Sequence, residues 1–224
     1  MSVISDRTAF ILRETVLKPV PHVPEISLHV ADEAMALWQK TEDELAEIGL
    51  PPPFWAFAWA GGQALARYVL DHPELVRGRR VLDFASGSGL VGIAALRAGA
   101  ASALGADVDL FAGEAMALNA EANGVSMAAT ATDLIGRAGE WDVILAGDIC
   151  YEQGLAARVI EWLSAEKARG VVVLIGDPGR AYLPRQRLVC LAEYHVQTVG
   201  ALEDNEIKKT CVWRILGESA PTTP

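Results

Sequence analysis

The chain has 224 residues, 51% of them hydrophobic and 21% charged, which suits one large α/β domain and excludes a disordered chain or one that needs disulfides to hold a core. Nineteen basic against 29 acidic residues leave a net charge of −10, and no basic run is interleaved with aromatics, which disfavours nucleic acid as the main partner. No uncharged apolar run reaches the roughly 18 residues of a membrane helix.

The elements divide into an N-terminal extension (1–75), an alternating β/α core (76–217) and a flexible tail (218–224). The opening MSVISDRTAFILRETVLK has neither the basic start and apolar middle of a signal peptide nor an Arg-rich, acid-poor leader, so a cytoplasmic protein is expected. ILRETVLKPV and EISLHVA read as short extended pieces broken by Pro19, Pro21 and Pro24. ADEAMALWQKTEDELAEIG reads as a helix, with Ala34, Leu37, Trp38, Leu45 and Ile48 on one face, Glu42, Asp43, Glu44 and Glu47 on a solvated face, and Gly49 at its end. Pro51, Pro52 and Pro53 forbid a helix before Phe54. FWAFAWAGG then sets an aromatic cluster, ending in Trp59, beside Gly61 and Gly62. Such clusters are usually core, but paired glycines point to a backbone that something approaches closely. QALARYVLDH is the next helix.

From residue 79 strand and helix alternate. RRVLDFA, SALGAD, MAATATD, WDVILAGD and VVVLIGD read as strands, and LVGIAALRAG, LFAGEAMALNAEANG and LAARVIEWLSAEKA as helices. Runs such as VVVLI are apolar on both faces, as in a parallel sheet covered by helices. HVQTVGAL and KKTCVWRIL, joined by the polar EDNEI, read as an antiparallel hairpin added to that sheet.

The strongest local signal is a G-x-G-x-x-G formed by Gly87, Gly89 and Gly92 between the strand VLDF and the next helix, with Asp107 at the end of the following strand. Both dinucleotides and S-adenosylmethionine use such a unit. Asp83 argues for the second: four residues before Gly87, it would face a pyrophosphate anion against anion, whereas adenosylmethionine brings an ammonium and a sulfonium. An NAD-dependent oxidoreductase remains the minority reading. Asp107 is placed to accept from ribose hydroxyls, and Asp109 reads as a helix cap. Asp133 and Leu134, read as the end of the third core strand, would meet the adenine, although Asp133 equally suits a cap. The fourth core strand ends in Gly147-Asp148-Ile149-Cys150-Tyr151. There Asp148 can bind a cationic nucleophile and Tyr151 can wall it. On spacing alone, Asp148 as a cap of the helix near Gln153 and Tyr151 as core are equally good. His22, His29, His72 and His195 show no metal-ligand spacing, and Cys150, Cys190 and Cys211 make no C-x-x-C, as expected of reduced thiols.

VLDFASGSG, GADVD and GDICYE together resemble the seven-strand, Rossmann-like class I methyltransferase fold. The D-x-x-Y of Asp148 and Tyr151, with FWAFAWAGG upstream and GDPGR at 176–180 downstream, is similar to the family 16 protein-lysine methyltransferases, in particular the subgroup that acts on the electron transfer flavoprotein β-subunit. The resemblance implies S-adenosylmethionine as cofactor, with adenosylhomocysteine as product. It implies a protein substrate; the oligomeric state is not read from the sequence, and a monomer is the default expectation. It also implies site roles. Trp59 lies against the cofactor; Asp83, Gly87, Ser88 and Gly89 line its methionine part. Asp107 and Val108 hold the ribose side, Asp133 and Leu134 the adenine, and Gly147 lets the cofactor pass. Asp148 and Tyr151 face the target lysine, with Asp177 and Arg180 on the substrate rim. A ribosomal protein, a chaperone or a small amine is the alternative acceptor.

Overall fold

The computed structural model describes residues 6–31, 52–198 and 207–216. The helix expected over 31–49 and the tail therefore fall essentially outside the described residues.

The chain opens with helix α1 (Arg7–Glu14), capped by Asp6, whose Oδ1 accepts from the Ala9 amide at 2.8 Å. This corrects the extended reading of Ile11–Glu14: an aspartate three residues before a free amide is an N-cap signal, and it outweighs the β-branched Ile11. Strands β1 (Val16–Val20) and β2 (Val23–Val30) pair as an antiparallel hairpin. Pro19 and Pro24 lie within these strands rather than breaking them. In a two-stranded sheet each strand has an open edge, where a missing N–H removes no ladder bond.

After a 3-10 turn over Phe54–Ala56 comes α2 (Ala60–Asp71). The core follows as β3 (Arg80–Phe84), α3 (Leu90–Arg97), β4 (Ser102–Ala106), α4 (Leu110–Ala122), β5 (Ala128–Thr130), β6 (Val143–Gly147), α5 (Gln153–Ala168), β7 (Val172–Asp177), β8 (Leu188–Gln197) and β9 (Ile207–Ile215). One seven-stranded sheet has the order β5-β4-β3-β6-β7-β9-β8. The first five of these strands are mutually parallel, and β9 runs antiparallel to both β7 and β8. The expected C-terminal hairpin is present. Its first arm, however, begins at Leu188, seven residues before the expected His195, and runs to Gln197 against β9 with an irregularity between Cys190 and Ala192.

Alternation along the strands divides the core. Leu82, Ile144, Ala146, Val173 and Ile175 pack under Val159, Ile160 and Leu163 of α5. Val81, Val143, Leu145 and Leu174 pack under Ala64 and Leu65 of α2 and Val91 and Ala95 of α3. Each such fully buried aliphatic side chain contributes on the order of 1.5–3 kcal/mol. The N-terminal hairpin joins the same body: Ile26 and Leu28 pack against Leu90 and Ile93, and the Asn119 and Asn123 carboxamides accept from the amides of His29 and Ser27. The strand expected over 127–133 is shorter, ending at Thr130, and no helix separates β5 from β6.

The paired glycines of the aromatic segment have a structural explanation. Gly61 and Gly62 form the first turn of α2, which runs against the ends of β6 and β7. A Cβ on Gly61 would lie 2.2 Å from the Gly176 carbonyl oxygen, and one on Gly147 would lie 3.0 Å from the Gly62 backbone. What approaches these glycines is the protein's own backbone, so the smallness of Gly147 is required by Gly62 before any ligand is considered.

Candidate active site

The order of strands reverses between β3 and β6, and ligands of open α/β sheets bind outside the carboxyl ends of the strands at such a point. A cavity of about 630 Å³ opens there. Of the candidate site residues read from the sequence, all line it but two: Gly89, which instead caps α3 at φ +83° and packs against Met116, and Asp177, which is fully buried at the end of β7.

The glycine loop is held from below by two carboxylates. Asp83 on β3 is 1% exposed, and its Oδ2 accepts from the Ser86 hydroxyl at 2.6 Å and the Gly92 amide at 2.8 Å. Burial, reinforced by the charge of Asp107, pushes its pKa up to about 7 against those two hydrogen bonds. Asp107, just after β4, accepts from the Gly87 amide at 2.9 Å through one oxygen and from the Asp109 amide at 3.0 Å through the other. Its pKa is raised by burial. Asp109 is the cap of α4 expected from the sequence, accepting from Phe111. Asn119 on α4 donates to the Ser88 carbonyl at 2.8 Å and fixes the loop from the side.

Asp133 and Leu134, expected to meet the adenine from the end of a strand, lie in the loop beyond β5 rather than on it. Asp133 is exposed, accepts from the Ile135 amide and pairs with Arg158 at 3.5 Å. The cap reading of Asp133 is thus realised, while Leu134 is half-buried against the cavity wall.

The aromatic segment splits into core and wall. Trp55 is buried and stacks on Phe111, with centroids 6.0 Å apart and planes 11° apart. Trp59 donates its indole N–H to the Phe54 carbonyl at 2.8 Å and lies edge to face with Phe54 and Phe57. Phe54 in turn meets Tyr151 at 5.7 Å. Tyr151 is half-exposed at the cavity mouth, which corrects the reading of it as a core residue; Val108, next to Asp107, is the more exposed lining residue. Phe54 was not singled out from the sequence. Its signal was the three prolines before it, which force a turn that leaves the first aromatic of the cluster outside the core.

Asp148 is the largest departure from the sequence reading. It sits just past β6 with φ +56°, is 8% exposed, and caps α2, not the helix at Gln153. Its Oδ2 accepts from the Gly62 amide at 2.9 Å, while Oδ1 accepts from Arg180 Nε at 3.1 Å and Nη2 at 2.7 Å. α5 begins at Gln153, and Glu152 at its N-cap position makes no side-chain capping hydrogen bond. Burial raises the Asp148 pKa, and Arg180 opposes that rise. Arg180 also lies over the Trp59 ring, 5.5 Å from its centroid. A carboxylate expected to stand ready for an incoming cation is already bound to one. Cys150, next to it, is fully buried, and burial pushes its thiol up to about 12, so it stays protonated.

The fit of a cofactor follows from these donors and acceptors. Carboxylates line the glycine loop, and the cavity's two arginines, Arg158 and Arg180, lie beside Asp133 and Asp148. A pyrophosphate at the loop would meet Asp83 and Asp107; the ammonium of a methionine group is attracted there. Asp107, Leu134 and Trp59 supply a hydroxyl acceptor and apolar walls for a nucleoside.

Residues 63–172 match the family of ribosomal protein L11 methyltransferases (PrmA). The chain is 39% identical over 212 residues to an electron transfer flavoprotein β-subunit lysine methyltransferase from Xenopus laevis, covering 92% of this chain and 85% of that one. The human protein of the same name is 34% identical, with 85% and 74% covered. A magnesium protoporphyrin IX methyltransferase from Synechocystis PCC 6803, solved with bound S-adenosylmethionine, superposes with a TM-score of 0.51 at 15% identity, over 69% of this chain and 77% of that one, and shares the fold.

Proposed function

The chain belongs to the family of electron transfer flavoprotein β-subunit lysine methyltransferases, and from that premise we propose that it methylates lysine side chains of an electron transfer flavoprotein β-subunit. It is an S-adenosylmethionine-dependent methyltransferase. The observation that supports this substrate is the 34–39% identity to relatives named for it; methyl transfer to a cationic side chain is supported by the cavity, in which a carboxylate-braced glycine loop faces a mouth of Phe54, Trp59 and Tyr151 beside a buried acid.

When bound, S-adenosylmethionine supplies an electrophilic methyl group on a sulfonium. Asp83 and the Ser86–Ser88 backbone would hold its amino-acid part, Asp107 its ribose and Leu134 its adenine. The aromatic mouth would receive the aliphatic stem of a lysine and draw its cation over the ring faces. The amine must then be neutral to act as a nucleophile. At pH 7 removing its proton costs about 4.6 kcal/mol for an unperturbed lysine. A neighbouring positive charge and exclusion of water by Trp59 and Phe54 both reduce that cost. Asp148 and Tyr151 orient the amine along the line of transfer, and such orientation supplies much of the rate gain. The released proton leaves through the mouth, where Phe54 and Tyr151 are both exposed.

The test is transfer of labelled methyl from S-adenosylmethionine to purified electron transfer flavoprotein β-subunit, with the modified residue located by mass spectrometry. Methyl-lysine in the β-subunit is expected. The same assay with ribosomal protein L11 is the comparison that the match over residues 63–172 calls for; label on that protein and none on the β-subunit would reassign the substrate.

A further inference from the structure

Among the described residues, the group that the mechanism above leaves without a task is the guanidinium at the reaction end of the cavity. We propose that Arg180 is a positioning residue that keeps the target lysine amine neutral by occupying Asp148; this rests on the placement of the amine at Asp148.

The arrangement is built to hold Arg180 there. Asp177, fully buried at the end of β7, accepts from the amides of Gly179 at 2.6 Å and Arg180 at 2.7 Å through its Oδ1. Gly179 takes the turn at φ +92°. Trp213 on β9 donates to the Asp177 carbonyl at 3.3 Å. The turn so fixed aims the guanidinium at Asp148 Oδ1 by two N–H groups, and Trp59 covers its face. On the other side the first turn of α2 presents the Gly62 amide to Oδ2. Both oxygens of Asp148 therefore have a positive or dipolar partner before any substrate enters.

The consequence follows from charge. A free carboxylate beside a lysine stabilises the ammonium and raises its pKa, which opposes attack. A carboxylate neutralised by Arg180 and by a helix N-terminus does not. It can still accept an N–H from a neutral amine, so it orients the lone pair without favouring the proton. The other groups around this point leave the sign unchanged. Burial raises the pKa values of the Cys150 thiol and the Tyr151 hydroxyl, which keeps both neutral. Asp177 is also raised, to about 6, chiefly by burial. Glu152 is exposed, Asp107 is tied to the glycine loop, and Arg185, near the Gly179 carbonyl, adds only positive charge.

The experiment is the pH profile of methyl transfer to purified electron transfer flavoprotein β-subunit, between pH 6.5 and 9.5, for the wild type, Arg180→Gln, Arg180→Lys and Asp148→Asn. Adenosylhomocysteine affinity and a thermal melt certify each fold. In Arg180→Gln the pKa governing kcat should rise by about one unit or more, so turnover at pH 7 falls about tenfold and the deficit shrinks as pH rises. Arg180→Lys, which keeps the charge, should restore the wild-type profile. Asp148→Asn keeps an acceptor for Gly62 and should shift the profile down while KM rises; this shift decides the matter if Arg180→Gln does not fold. Profiles that superimpose, or activities reduced by one factor at every pH, would overturn the proposal. No methyl-lysine with the wild type would overturn the underlying functional reading as well, and so is distinguishable from failure of this inference alone.

Discussion

Lowering the pH from 8 to 6 should weaken cofactor binding, and Asp83 is the reason. In the free protein its carboxyl sits near pH 7, because it is buried beneath the glycine loop, and the Ser86 hydroxyl and the Gly92 amide that donate to Oδ2 do not offset that burial. A bound ammonium favours the ionised form, so binding expels a proton wherever Asp83 is protonated. If only the ionised form binds, the apparent Kd is about twofold above its plateau at pH 7 and about elevenfold above it at pH 6, close to 1.4 kcal/mol. Calorimetry with adenosylhomocysteine from pH 5.5 to 7.5, in two buffers of different ionisation enthalpy, measures both the affinity and the proton released. The affinity should rise with pH, approaching one proton released at the acidic end. Asp83→Asn should bind with an affinity independent of pH. A flat profile in the wild type, or one that strengthens toward acid, would refute the assignment of Asp83 to the cofactor's cationic end.

Three further outcomes follow. Gly61→Ala would drive a methyl group to within 2.2 Å of the Gly176 carbonyl and 2.6 Å of Asp148 Oδ2; overpacking together with loss of the Gly62–Asp148 hydrogen bond should cost about 3 kcal/mol or more in denaturant unfolding, and a cost under ~1 kcal/mol would mean that α2 slides freely. Asp107→Ala removes the acceptor for the Gly87 and Asp109 amides as well as the proposed ribose contact, so calorimetry should find adenosylhomocysteine bound at least about tenfold more weakly; unchanged affinity would count against both roles. Unfolded aspartates lose their protons near pH 4, whereas folded Asp83 and Asp177 do so near 7 and 6. Between those values the folded protein binds more protons, so these two residues make the ligand-free protein less stable as pH rises, and Asp83→Asn should melt with a shallower dependence on pH between 5 and 8.

The sheet was legible because its evidence is local and repeated. β6 and β7 alternate between two buried faces, and the helix between them, α5, carries its own apolar stripe of Ala156, Val159, Ile160 and Leu163, so order and direction follow from the run of elements. The errors share a cause: pairing partners that the one-dimensional pattern does not contain. Pro19 and Pro24 look like breakers until β1 and β2 are seen as a two-stranded hairpin with open edges. The early start of β8 at Leu188 is set by its pairing with the whole of β9, Leu188 opposite Ile215 through Gln197 opposite Ile207, not by its own alternation. α1 could have been found from Asp6 and the amide of Ala9 three residues on, a signal that the apolar Ile11 and Val16 obscured.

The site divides in the same way. Asp83, Gly87 and Asp107 are held by neighbours a few or at most twenty residues away along one βαβ unit, and their roles as braces of the loop follow from that spacing. Asp148 is completed by Gly62, 86 residues before it, and by Arg180, 32 residues after it. Neither distance has a period, so an acid after the fourth core strand reads as free. Its freedom decides the chemistry: an unpaired Asp148 would be a trap for ammonium, and a paired one is an acceptor for amine. The glycines at 61, 147 and 176 were the available clue, since three residues without side chains near three element ends imply that those ends touch. Once they touch, the first turn of α2 and the turn after β7 close on Asp148 from opposite sides, and the charge that reaches the substrate is set by the fold and not by the acid alone.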